Sequence, residues 1–117
     1  MSEKVEELEE FKLPVPEPGK VVKARITAIY KGKLKDLVDI NAIRNEAIRE
    51  RFKRNAGRDA IQIEFEYQGV KFTQTFLIST NPRSNLVRLM KKYKALKVGM
   101  EIDITFNERG RPRIYIE

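Results

Sequence analysis

The chain has 117 residues, 41% of them hydrophobic and 35% charged, with a formal net charge of +7, a size that gives one domain with a modest core. It contains no cysteine, histidine or tryptophan, which excludes disulfides, thiolate chemistry and any imidazole base or metal ligand. No apolar run approaches membrane-spanning length and the opening MSEKVEELEE is acidic and polar, so neither an anchor nor a signal peptide is expected, and a cytoplasmic location follows.

Residues 1–18 carry six glutamates against two lysines, a net of −4, while the rest of the chain holds 22 basic and 11 acidic groups, a net of +11. This acidic arm ends in Leu13-Pro14-Val15-Pro16-Glu17-Pro18-Gly19, where three prolines favour an extended linker over regular structure. Residues 19–117 are the expected folded domain. A basic excess of this size attracts polyanions over long range, and nucleic acid is the commonest of these. The abundance of Lys, Arg and Glu without Cys is also the composition of a thermophilic chain.

Residues 20–31 (KVVKARITAIYK) alternate, predicting a first strand with Val22, Ala24, Ile26, Ala28 and Tyr30 inward and a basic outer face that includes Lys23 and Arg25. From Asp39 to Arg54 the pattern turns helical, with Ile40, Ile43, Ala47, Ile48 and Phe52 on one broad side and Arg44 and Arg51 interrupting it. A helix of this kind packs shallowly and leaves its guanidinium groups to water or a ligand. Gly57 is the expected left-handed residue after it. The whole insert spans about residues 34–57.

Residues 59–67 (DAIQIEFEY) and 70–78 alternate on either side of Gly69, predicting second and third strands. Ile61, Ile63, Phe65 and Tyr67 face inward and Gln62, Glu64 and Glu66 outward. Asn81-Pro82-Arg83-Ser84 supplies capping chemistry for a second helix whose stripe is Leu86, Leu89, Met90, Tyr93 and Leu96, placing that helix across one end of a barrel. Met100–Phe106 and Arg111–Glu117 read as the last two strands, joined by a tight turn at Asn107-Glu108-Arg109-Gly110 with glycine where positive φ is wanted.

The expected fold is therefore mainly β with two helices, a five-stranded barrel with a helical insertion between strands 1 and 2. With its Lys-Val-Gly-Met step into an Ile-Asp-Ile-Thr strand and its basic hairpin, residues 19–117 resemble an OB-fold of the single-stranded nucleic-acid-binding type. In that family the faces of strands 2 and 3, the first connection and the last hairpin contact the strand of nucleic acid. The resemblance implies contacts from Lys71, Thr73 and Thr75 on the sheet, from Lys33, Lys35, Arg44, Arg49, Arg51, Lys53 and Arg54 in the first connection, and from Arg109, Arg111 and Arg113 at the hairpin. Tyr115, on the outer side of the last strand, is the leading candidate for base stacking, followed by Tyr30, Tyr67 and Phe72 near strand ends.

Catalytic readings have little support. Asp36 and Asp39 lie three apart and read as helix-terminal carboxylates. Ser79, Thr80 and Ser84 have no histidine to activate them, no glycine-rich phosphate loop occurs, and no cofactor or metal is expected. The chain reads as a non-enzymatic binder of single-stranded nucleic acid, DNA ahead of RNA, that acts through charge with limited stacking. The alternatives are a protein-interaction module using the insert or the acidic arm, or an RNA- or ribosome-associated factor.

Overall fold

A computed structural model of the chain describes residues 17–116. Most of the acidic arm, residues 1–16, and Glu117 lie outside the described residues. Five antiparallel strands run in the order β3-β2-β1-β4-β5: β1 Val21–Lys33, β2 Asp59–Tyr67, β3 Val70–Leu77, β4 Glu101–Phe106 and β5 Pro112–Ile114. They curl into a nearly closed barrel, an architecture consistent with an OB-like fold. Its interior is packed by Ile26, Ile63, Phe65, Leu89, Ile102 and Ile104, all at most 1% exposed, with Phe76 and Phe106 nearly as deep.

β1 serves both sides of the barrel. Its first half pairs with β4 from Val21 opposite Thr105 to Arg25 opposite Glu101, and its second half pairs with β2 from Arg25 opposite Glu66 to Lys33 opposite Asp59. A bulge between Ile26 and Ala28 bends it, as an inserted residue does in a strand that must turn a barrel corner. Thr27 in the bulge donates its hydroxyl to the Glu64 carboxylate at 2.8 Å. The bulge also reverses the alternation, so the expectation that Ala28 and Tyr30 point inward fails. Ile29 packs on the core, and Tyr30 is turned outward and 47% exposed.

Where a single helix is expected over residues 39–54, the insert holds a 3-10 turn Ile40–Ala42 and α2 Glu46–Arg54, preceded by a short helix α1 Leu34–Leu37. Asn45 is the reason for the last break. Its extended backbone and its side chain, which accepts the Ile48 N–H at 3.1 Å, start a new helix, and local side-chain capping of this kind competes with helix continuation. Arg44 therefore precedes α2 rather than interrupting its apolar side. Gly57 does not take the left-handed conformation expected of it. Instead Asn55 closes α2, with its N–H on the Phe52 carbonyl at 3.1 Å and its side-chain amide on the Arg51 carbonyl at 2.8 Å.

α3 spans Asn85–Tyr93, capped by the Ser84 hydroxyl accepting the Val87 N–H. It stops short of Leu96 because Lys94 takes a φ of +63°, although Leu96 still packs on the core. Leu86 and Leu89 are buried, whereas Met90 stays exposed, so the apolar stripe is not unbroken. β5 is shorter than the expected Arg111–Glu117. At the turn before it the Asn107 side chain accepts the N–H groups of both Arg109 and Arg111 at 2.9 Å, and Gly110 has the expected positive φ, +74°. The edge strands β3 and β5 meet through the Gln74 side chain, whose carbonyl accepts the Ile114 N–H at 2.8 Å.

Candidate nucleic-acid interface

The outer face of β2 and β3 is largely satisfied by the protein itself. Gln62 stands opposite Thr75, Glu64 opposite Thr73 and Glu66 opposite Lys71. The Gln62 amide donates to the Thr75 hydroxyl at 3.2 Å and to the Leu37 carbonyl at 2.9 Å, so α1 lies over this end of the face. Ala60, in the same outward row, is buried, as is Leu34 of α1. Lys71 is ion-paired to Glu64 at 3.6 Å, and the Glu64 and Glu66 carboxylates repel phosphate. Of the three expected contacts on this face, only Thr73 is both exposed and without a side-chain partner among the described residues.

The basic side chains divide according to whether the fold has given them a counter-ion. Lys33 is paired to Asp59 at 2.8 Å, and its ammonium holds the Asp59 carboxyl below the ordinary carboxylate range. Lys53 is paired to Glu50 at 3.5 Å, and Arg49 donates to the Ile43 carbonyl at 3.1 Å. Lys35, Arg44, Arg51 and Arg54 in the insert, and Arg109, Arg111 and Arg113 at the hairpin and β5, have no side-chain ion pair or hydrogen bond among the described residues, and all are exposed. Arg25 is likewise unpaired, but it sits in register between Glu66 and Glu101, two carboxylates that offset its attraction for phosphate.

Lys23 belongs to a structural cluster. Its ammonium donates to Asp103, which also pairs with Lys92 at 3.3 Å. The hydrogen bond from Lys23, joined by the one from Lys92, holds the Asp103 carboxyl below its ordinary value against the opposing effect of partial burial. The same bond raises Lys23 above the ordinary lysine value. Lys92 also stands 4.7 Å from the centre of the Tyr115 ring and donates to the Tyr115 carbonyl at 2.9 Å. Tyr115 is thus half-buried with its ring in contact with a cation.

Among the other aromatic candidates, Phe72 packs on Phe65 and Phe106, and Tyr67 packs on Phe106 with ring centres 5.4 Å apart. Both rings serve the core. Tyr30 remains on the outer face, beside Gln62 in the register.

A cleft of about 470 Å³ opens between α2, β3, the start of α3 and β5, with Arg51 and Arg113 among its lining residues. The sequence marks those two arginines and Thr75 as contacts but not Asn85, Leu86 or Pro112, which also line it. These residues come from separate elements, and no local pattern marks their convergence. Among the described residues, no group of three or more carboxylates is arranged to hold a metal ion, and no helix is long and apolar enough to cross a membrane.

No protein-family model, no curated protein and no solved structure matches the chain.

Proposed function

We propose that this protein binds single-stranded nucleic acid without catalysing a reaction, holding the strand through phosphate contacts with little reading of sequence. The observation that carries the reading is the set of arginines without counter-ions among the described residues: Arg44, Arg51 and Arg54 on the insert, and Arg109, Arg111 and Arg113 at the hairpin and β5. In a chain that pairs Lys23, Lys33, Lys53, Lys71 and Lys92 internally, unpaired guanidinium groups are a standing attraction for phosphate oxygens. Few exposed rings accompany them. Among the described residues Tyr30 is the most exposed ring, which suits charge-dominated binding with limited stacking.

The test is a titration of labelled single-stranded DNA, single-stranded RNA and duplex at two salt concentrations. The expected result is tighter binding of single strands, DNA ahead of RNA, with log affinity falling against log salt at about 0.7 per phosphate neutralised. A second reading has one specific observation behind it: α2 buries none of its residues, and its Ile48 is 41% exposed, as in a helix that docks on a protein. Affinity for a protein partner that hardly changes with salt, together with no binding of any nucleic acid, would favour that reading.

A further inference from the structure

The cleft between α2 and the seam where β3 meets β5 has the composition of a nucleotide site. Its volume of about 470 Å³ lies within the range of about 300–1,000 Å³ usual for small-ligand pockets. Arg51 enters from α2 and Arg113 from β5, and no carboxylate is among the lining residues. Neither guanidinium has an ion pair or hydrogen bond among the described residues. Phe52, Leu86 and Pro112 supply an apolar wall, and Asn85 and Thr75 supply polar groups. The first residues of α3 also line the cleft, adding the positive end of a nine-residue helix to the two arginines.

We propose that one nucleotide of a bound single strand occupies this cleft, its base against Phe52 and its phosphate between Arg51 and Arg113, so that the strand follows the β3–β5 seam beneath α2 rather than the outer face of β2 and β3. The outer face is closed to it for two reasons. Glu64 and Glu66 repel phosphate there, and α1 holds Gln62 at the end next to the cleft through the Leu37 carbonyl. The cleft is the place where unpaired cations from the insert and from the hairpin side come to one cavity. A base enters an apolar wall without burying unpaired carboxylates, and its phosphate meets donors that no internal acceptor satisfies.

This assignment rests on the single-strand reading of function, and the test separates the two. Wild type, Arg51→Ala, Arg113→Ala, Phe52→Leu and the control Lys91→Ala are titrated with a fluorescent thymidine 12-mer over a salt series, and the melting temperature of each variant is measured. Each arginine change is expected to weaken binding about threefold to tenfold at low salt and to flatten the salt slope by about 0.7. Phe52→Leu is expected to weaken binding up to about tenfold with the slope unchanged, and Lys91→Ala to change little. To separate ring packing from base contact, a 12-mer carrying 5-iodouracil is photocrosslinked to the wild type, and Phe52 is expected among the crosslinked residues. Wild-type binding with unchanged affinity and slope in both arginine variants overturns the cleft and leaves the function standing. Crosslinks confined to the β2–β3 face do the same. A wild type that binds no single strand overturns both. Full displacement of the 12-mer by thymidine monophosphate at equal nucleotide concentration assigns the cleft to a free nucleotide and overturns its assignment to a strand.

Discussion

The Gln74 side-chain carbonyl and the Ile114 backbone N–H are joined at 2.8 Å, a side chain standing in for the ladder bond between the two edge strands of the barrel. Ile114 is buried at 5% exposure, so no water readily replaces that acceptor. Gln74→Leu is expected to lower stability by about 1–3 kcal/mol, the cost of an unsatisfied buried donor. Urea denaturation measures the loss, and faster amide exchange at Ile114 than elsewhere in β4 and β5 locates it. A stability equal to wild type would show that the seam is held without this bond.

On the insert, the triple change Arg51, Lys53 and Arg54 to Ala should reduce affinity for single strands and flatten the salt slope by about 0.7 for each phosphate no longer neutralised. Because Lys53 is paired to Glu50 and the two arginines are not, Lys53→Ala alone is expected to account for little of the effect. Salt-dependent anisotropy on the three single variants distributes the effect among them.

The ion cluster at Asp103 sets an acid-side dependence of stability. Its carboxyl is held below the ordinary value in the folded chain. The stabilisation is therefore fully present above the unfolded carboxyl pKa of about 3.9 and is lost as pH falls through the lower folded value. Viewed from Lys23, whose pKa is raised, the same bond is lost only as pH rises through that raised value, well into the alkaline range. Asp103→Asn should therefore lower the melting temperature at neutral pH and flatten its decline as pH falls below the ordinary carboxyl value of about 3.9. A parallel decline in both proteins would remove Asp103 from the account.

Tyr115 sits beside the Lys92 ammonium, an interaction worth about 0.5–1 kcal/mol near a surface. Tyr115→Ala is expected to lower the melting temperature, since the ring makes the interaction. Strand binding is measured in parallel. A loss of about 1–3 kcal/mol in affinity at unchanged stability would make the ring a stacking surface instead.

The acidic arm is expected to act through its charge. A net of −4 on residues 1–18 is tethered to a body of +11, and tethering gives it a high effective concentration at any basic surface. Removing residues 1–12 should tighten strand binding at low salt, with the gain shrinking as screening increases. Equal affinities of full-length and shortened protein at low ionic strength would exclude competition by the arm.

Alternation alone was enough to place β2, β3 and β4 and to identify the inward residues of β2, because a strand buried on one face must repeat every two residues. The Asn107 to Gly110 turn and the Ser84 cap were readable for the same local reason: each depends on side chains within four residues of one another. The strand alternation does not survive the bulge in β1. That bulge exists because a single strand must pair with both β2 and β4, and it turns Tyr30 outward. Asn45 divides the insert although the periodicity runs on through it, since a local cap competes successfully where the helix buries too little to resist. The charge total pointed to a polyanion, yet only the tertiary structure decided which cations remain open to one. Lys23 meets Asp103 and Lys71 meets Glu64 across neighbouring strands, and a counter-ion brought by folding leaves no trace in local sequence. The same holds for the cleft. Arg51 and Arg113 share it only because closure of the barrel brings β5 beside β3, a long-range approach that depends on the packing of the whole core.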